Sequence, residues 1–417
     1  MRALVAKGET ERARADVACL LADLFAIEPV AVALNTDQYS LNSLNGFFEA
    51  GGEPFFFKFH QEEGEEAMSG EYYRVGLLAR TGLPIDMPVH VSTEAGEQVL
   101  VYRRRSSPRF ADVLRGFDEV GGGPERERAL AAERILARQV GQVYCDSLHP
   151  ITAEQSAGEA IHRLFFDRLV DPGTHAYPCG RLKGFYVGHT FRFPGVELPW
   201  DTLKDLVIEV NGVRYARTLG ALFDEAHARL APEALSGGGV IAHGDAHNAN
   251  VWYERDGDRA RLVLFDPAFA GEHVPALLAD IKATFHNVLA HPFWLYEPTE
   301  ARVRFQASGE RMGDTLRMRT TWGLPPHREA LLDIRADEVW KPLLALLRTR
   351  GLLPDDWQRV MRLALFLCPT MVMNLRAGAT VHNEVSSAIG IAAAVMCGSE
   401  PEQGDDLVSR FFVRIAP

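Results

Sequence analysis

Apolar and polar positions alternate with two different periods along this chain. Residues 9–26 place apolar side chains at helical spacing and predict one amphipathic helix. The period then shortens. Val30–Leu34, Gly46–Glu49 and Pro54–His60 predict three strands, with a turn at Gly51-Gly52 between the second and third. Phe55, Phe56, Phe57 and Phe59 suit a strand buried on both faces. A helix follows at Glu65–Thr81, closed by Gly82 and Pro84. Two more strands are expected near Val89–Thr93 and Gln98–Tyr102.

Arg103–Pro108 is polar and turn-rich, and it is the expected hinge between two lobes. The lobes would be residues 1–103, with the leading helix, and residues 104–417. Beyond the hinge, Glu125–Cys145 reads as a long helix. Residues 150–217 read as an insertion or cap rich in Pro and Gly. They contain one hairpin signal, LVIEVNGVRYAR, whose Asn211-Gly212 step suits a type I′ turn. Residues 218–230 read as a helix, Val240-Ile241 and Arg261–Phe265 as strands, and most of the remainder to about Met396 as helix. The expected class is α+β, with a small antiparallel-sheet lobe before a larger, mainly helical one.

Composition narrows the partners. The chain has 417 residues, 47% apolar and 24% charged, as for an ordinary globular protein of two or three lobes. Its 44 Lys and Arg against 56 Asp and Glu leave a formal charge of −12. Such a balance argues against nucleic-acid binding, which needs basic surfaces, and leans weakly toward a cationic ligand. Five cysteines without a CxxC pair argue against a zinc knuckle or a disulfide framework. Leu363–Met373, the most apolar late stretch, is too short for a bilayer. The amino terminus has no apolar run of signal-peptide length. A cytoplasmic location away from membranes is expected.

The candidate chemistry lies in His243–Asn250 (HGDAHNAN), which follows a short strand, and in Asp266 at the end of the next predicted strand. Three readings fit this segment. In phosphoryl transfer, Asp245 takes the acceptor's proton while Asn250 and Asp266 hold Mg²⁺ through hard oxygens. In metal hydrolysis, His243, Asp245 and His247 bind zinc or iron, with Asp266, His273 or His286 completing the set. In the third, a turn rich in Asn and Asp simply joins two strands. Upstream, Lys58 interrupts the phenylalanine-rich strand, and Glu71 lies thirteen residues later on the next helix. A strand Lys paired with a Glu of the following helix is how kinases hold the α- and β-phosphates. The plain alternative is a lysine pointing outward from an edge strand.

Taken together, these residues resemble the aminoglycoside phosphotransferase and choline kinase group, which has the protein-kinase-like fold. Its H-x-D-x-x-x-x-N loop is matched by His243, Asp245 and Asn250, its metal-binding Asp by Asp266, and its ion pair by Lys58 and Glu71. Gly271, Pro275 and Asp280 keep the spacing of a following D-P-x-x-x-D-L-A-like stretch. The resemblance implies that Asp280 bonds the catalytic-loop backbone, and that His243 is structural. It implies ATP or GTP with Mg²⁺ as cofactors, the adenine bonded by backbone near Val101–Arg103, and His247 and Glu272 beside the acceptor. The acceptor would be a hydroxylated small molecule: an aminoglycoside or other antibiotic, an amino sugar or an amino alcohol. The pattern spans residues 30–104 and 218–290. The chain departs from it in the phosphate-covering loop Thr36–Gly46, which has one glycine and where Ser40, Ser43 and Asn45 stand as donors. It departs again in Pro-Ala-Phe after Asp266. A degenerate nucleotide-binding protein without transfer is the remaining alternative. A protein kinase is disfavoured, because only fourteen residues separate Asp266 from Asp280.

Overall fold

The computed structural model describes residues 4–5, 8–35, 44–59, 70–92 and 97–417, with side chains within 70–92 described from residue 74 onward. The chain divides into two compact units: residues 1–79 with 84–107, and residues 80–83 with 108–417.

The first unit begins with α1 (Thr10–Phe25), whose Ala13, Val17 and Leu21 are fully buried at a spacing of four. Five strands follow: β1 (Val30–Leu34), β2 (Asn45–Ala50), β3 (Glu53–Phe59), β4 (His90–Ser92) and β5 (Val99–Arg103). They pair in the order β1-β2-β3-β5-β4, antiparallel throughout. The helix α2 (Gly70–Arg80) lies between β3 and β4 in the chain. β3 is not buried equally on both faces. Period-two alternation sends Phe55, Phe57 and Phe59 to the core with Val17, Leu21, Phe48, Val99 and Val101. Phe56 and Lys58 take the opposite face, where Phe56 pairs with Tyr102 and Lys58 with Leu100 and Asn45. Lys58 is therefore a half-buried residue of a central strand.

In the second unit, the helix Gly123–Ser147 is buried along one side by Ala129, Leu136, Val140 and Tyr144. Beside it a three-stranded sheet joins Gly271–Pro275, Gly237–Ala242 and His149–Ile151. Val251–Asp256 and Arg259–Leu264 form a separate hairpin. Residues 150–217 hold more strand than the reading as a cap suggested. They contain the hairpin Thr190–Phe193 and Val196–Pro199, and the expected one at Val207–Val210 and Val213–Arg214. In the latter, Asn211 and Gly212 both adopt positive φ, 50° and 87°, as a type I′ turn requires. An aromatic cluster packs this region: Tyr186 stacks on Trp200 with ring centroids 5.6 Å apart, and Phe223 meets Phe366 at 4.7 Å. The expectation of helix through to Met396 fails at Ala307–Met312 and Thr315–Thr320. These form a hairpin that pairs in parallel with Val207–Val210. That segment is polar on its outer face and alternates, so only its period distinguishes it from helix.

Candidate active site

The strand Gly237–Ala242 delivers the chain into His243, and several bonds tie the loop that follows to itself. Gly244 has φ +78°, and a Cβ there would lie 2.5 Å from the Phe269 carbonyl, so only glycine fits. The Asp245 carbonyl accepts the His247 N–H at 2.8 Å and the Asn250 side-chain amide at 3.0 Å. His247 caps the short 3₁₀ turn Asn248–Asn250 through Nδ1, which accepts the Ala249 N–H. The buried Asn248 N–H donates to Asn287 Oδ1 at 2.7 Å.

His243 is buried and fully engaged. Its Nε2 reaches the Phe265 carbonyl at 3.0 Å, and its Nδ1 accepts the Asp245 N–H at 3.4 Å. Burial holds its pKa below the ordinary histidine value, against the pull of the Phe265 carbonyl and of Asp245. The neutral tautomer with a proton on Nε2 satisfies both bonds. Phe265 is clamped on its other side too, its N–H donating to the Asn250 carbonyl at 3.0 Å. The next residue, Asp266, has φ +57°, a conformation that a non-glycine residue adopts only where the surroundings hold it.

The Asp245 carboxylate is 15% exposed and faces His247 and Lys282. His247 Nε2 lies 3.7 Å from Oδ2, and Lys282 Nζ lies 3.9 Å from Oδ1. Burial pushes its pKa up, but His247, Lys282, His243 and Arg168 together outweigh that and hold it below the usual carboxylate range. Oδ1 is buried with no hydrogen-bond donor among the described residues. Lys282 is 4% exposed. Its ammonium donates to His286 Nε2 at 2.8 Å, and His286 Nδ1 bonds the Tyr296 hydroxyl. Burial, then Lys282, depress His286 far below the ordinary value, so it is neutral and can accept from Lys282.

The predicted site residues fall into three groups. Asp245, Asn250 and His243 are brought into one bonded arrangement with Phe265, the residue before Asp266, and His247 stands beside Asp245. Glu272 is exposed on the strand Gly271–Pro275 and makes no bond to the loop. Ser43 and the Glu71 side chain lie outside the described residues, so the pairing of Lys58 with Glu71 is not described. Val101 is fully buried in the ladder, its carbonyl accepting from Val89 N–H at 2.7 Å. Arg103, at the end of β5, is exposed and lies 3.7 Å from Glu53.

Two expectations need correction. Asp280 does not bond the loop backbone. Its carboxylate is buried against Arg335 at 3.1 Å and the Thr284 hydroxyl at 3.4 Å, and Asn287 makes the loop bond instead. The zinc or iron site at His243, Asp245 and His247 is not formed. Both nitrogens of His243 are already bonded, His286 is held by Lys282 and Tyr296, and His273 bonds His149 at 2.9 Å. No group of three His, Cys, Asp or Glu converges for a metal among the described residues.

Sequence reasoning missed Lys282, His286 as its acceptor, and Arg168. The signal available was Lys282 and His286, four apart and both polar within the apolar run Ile281–Leu289. Arg168 lies in the stretch read as a cap and carried no such signal.

No family model and no curated protein matches the chain. Among solved structures it is similar to a thermostable mutant of aminoglycoside phosphotransferase APH(4)-Ia, at 12% identity over 90% of this chain and 98% of that one, TM-score 0.44. It is also similar to macrolide 2′-phosphotransferase MphH from Brachybacterium faecium, at 15% identity over 94% and 99%, TM-score 0.38. A third is choline kinase LicA from Streptococcus pneumoniae, at 11% identity over 86% and 99%, TM-score 0.37. All three are remote likenesses.

Proposed function

We propose that this chain transfers the γ-phosphate of ATP or GTP to a hydroxyl group of a small molecule, with Asp245 as the general base. The observation that carries this reading is the buried Oδ1 of Asp245. The groups around the carboxylate hold its pKa below the usual range, yet this oxygen accepts nothing. A buried anionic oxygen without a donor is costly, by about 1–3 kcal/mol or more. An acceptor O–H donating to Oδ1 removes that cost, and the same hydrogen bond sets up the proton transfer. As the acceptor oxygen bonds to the γ-phosphorus, the bond from that phosphorus to the bridging oxygen breaks. The nucleoside diphosphate leaves, and the hydroxyl proton passes to Asp245.

Asn250 and Asp266 suit a divalent cation. The Asn250 amide donates its N–H to the Asp245 carbonyl, so its Oδ1 is turned away, and that oxygen has no protein donor among the described residues. Asn250 Oδ1 and the Asp266 carboxylate are hard oxygen donors that would hold Mg²⁺, which when bound neutralises charge on the phosphates. Lys58, with Glu71 as its proposed partner, is assigned to the α- and β-phosphates, and Ser43 with the backbone from Val101 to Arg103 to the rest of the nucleotide. His247 is assigned to the acceptor alongside Asp245, with Glu272 at the periphery. On this reading residues 1–103 are the nucleotide lobe, and residues 104–417 carry the base and the acceptor. No helix among the described residues is long and apolar enough to cross a membrane, and all five cysteines are unpaired. A cytoplasmic enzyme acting on a small soluble acceptor fits both observations.

The test is transfer from labelled ATP to a broad panel of alcohols by the wild-type protein and by Asp245→Asn. Loss of product by a factor of about 10³ or more, with nucleotide binding retained, is expected. Equal activity in the two proteins would remove Asp245 as the base.

A further inference from the structure

The charge around Asp245 is the reverse of what an amino-bearing acceptor needs. The chain as a whole is acidic, but the groups gathered on the acceptor side of this base are cationic. Lys282 is the first, 3.9 Å from Asp245 Oδ1. Two more come from the 150–217 region. The Arg168 guanidinium bonds the carbonyls of Arg163 at 3.1 Å and Met371 at 3.3 Å. The Arg181 guanidinium bonds the same Met371 carbonyl at 2.9 Å and that of Val372 at 3.2 Å. Two guanidinium groups thus converge on one carbonyl oxygen at the end of the helix Trp357–Val372. Neither makes an ion pair with a carboxylate among the described residues. Asp167, next to Arg168 in the chain, is exposed and forms no ion pair with it.

One arginine at the last turn of a helix is ordinary, since it meets the carbonyls and the negative end of the dipole. A second on the same carbonyl adds like-charge repulsion that the helix end does not offset. That repulsion extends to the site. Arg168 acts on Asp245, Lys282 and His286, and Arg181 acts on Lys282. Burial and then Arg181 bring the Arg168 pKa down to about 10, which leaves it charged at neutral pH. Lys282 and Arg168 thus act on a single carboxylate, itself reserved for the acceptor's proton, and the exposed Arg181 acts on both of those cations. Asp245 and Asp167 act on Arg168 without a direct ion pair, and an anionic ligand would supply a paired counter-charge with the planar, two-point recognition that arginine favours.

We infer that the acceptor alcohol carries an anionic group, a carboxylate or a phosphate, held by Arg168, Arg181 and Lys282 beside Asp245. The inference rests on the phosphotransfer reading for the identity of the bound molecule as acceptor. It narrows that reading away from the amino sugars and amino alcohols that the sequence resemblance implies.

The test uses matched acceptors that differ only in charge, with the full chain and Mg²⁺-ATP. One set is glucosamine, glucose, glucuronate and glucose 6-phosphate. The other is ethanolamine, glycerol, glycerate and glycerol 3-phosphate. Transfer of labelled phosphate is read alongside calorimetric binding in the presence of a non-hydrolysable ATP analogue. In at least one set an anionic member should exceed its neutral counterpart tenfold or more, in kcat/KM or in affinity. Whether the carboxylate or the phosphate leads identifies the group. Arg181→Gln should lower that preference at least fivefold, and Arg181→Lys, which keeps the charge but not the planar fork, should fall between Arg181→Gln and wild type. If Arg181→Gln does not fold, the wild-type panel decides alone. The inference is overturned if anionic members bind and react no better than neutral ones, or if cationic members lead. Transfer to cationic members alone would leave the phosphotransfer reading standing and this one refuted. Preferential anion binding with no phosphorylated product would uphold the anion site and count against phosphotransfer.

Discussion

His243 Nε2 donates to the Phe265 carbonyl at 3.0 Å, and this bond ties the loop bearing Asp245 to the turn bearing Asp266. The same ring accepts the Asp245 N–H through Nδ1, so one neutral histidine fixes the base and the neighbour of the proposed metal ligand together. His243→Ala leaves a half-buried carbonyl and a half-buried N–H without partners. Each such loss costs about 1–3 kcal/mol. Unfolding in urea should register a destabilisation of at least that size, and kcat should fall at least tenfold as Asp245 and Asp266 lose register. A variant of unchanged stability would mean that water replaces the imidazole, and that the tie is dispensable.

Gly244 makes a sharper case, because backbone strain and steric overlap coincide there. Its φ of +78° disfavours any L side chain, and the missing Cβ would sit 2.5 Å from the Phe269 carbonyl. Left-handed strain of about 1–2 kcal/mol adds to an overpacking cost of about 1–3 kcal/mol. Gly244→Ala should therefore lose roughly 2–5 kcal/mol by chemical denaturation. Gly257→Ala is the comparison: φ is +56°, but nothing lies within 4 Å of the added carbon, so only the strain is expected. Similar losses in the two variants would show that the contact with Phe269 relaxes freely.

Some of this site was legible in the sequence and some was not, for identifiable reasons. The spacing of His243, Asp245, Asn250 and Asp266 is local, and the loop folds upon itself, so its groups meet where the spacing says they should. Lys58 was visible because a lone cation among phenylalanines is chemically out of place. Arg168 and Arg181 were invisible, since their anchors are backbone carbonyls of Met371 and Val372, which carry no side-chain signature and lie 190 to 203 residues on. Asp280 was found by spacing but given the wrong partner, because Arg335 reaches it across 55 residues of sequence. The hairpin Ala307–Thr320 was read as helix; its second strand finds its other partner in Val207–Val210, far upstream.

Lys282 should govern the acid limb of the rate profile. Burial alone would raise the Asp245 pKa, and His247, Lys282, His243 and Arg168 keep it below the usual range. The base must be ionised to accept a proton, so activity falls as pH drops through this pKa. Lys282→Met removes one of the opposing cations, and the Asp245 pKa must rise. The midpoint of the acid limb of kcat should therefore move to higher pH, while Lys282→Arg should leave it closer to wild type. A midpoint that stays put in Lys282→Met, with kcat merely lower throughout, would show that Lys282 acts by packing alone.

Asp280, Glu133 and Arg335 place two carboxylates on one guanidinium, all three at 1% exposure or less. Arg335 meets Asp280 at 3.1 Å and Glu133 at 2.6 Å, and the second oxygen of Glu133 has no partner among the described residues. The charges do not balance: burial, opposed by Arg335 and reinforced by Glu133, pushes the Asp280 pKa up from 3.8 to about 6. A carboxyl raised in the folded state keeps its proton where the unfolded chain has already released it. Its contribution to stability is therefore greatest below about pH 4 and is lost as pH rises to about 6. At 1.36 kcal/mol per unit, the loss across that window is at most about 3 kcal/mol. Glu133→Gln removes the second negative charge, so Asp280 should ionise at lower pH and the loss across the window should shrink. Urea unfolding at pH 4.5 and pH 7 isolates the effect as the difference between wild type and variant, since the other carboxylates titrate in both. The wild type should lose more stability than Glu133→Gln on going from the lower pH to the higher. The opposite sign would mean that Arg335 holds both carboxylates ionised, and that the buried triad carries its extra negative charge at every pH tested.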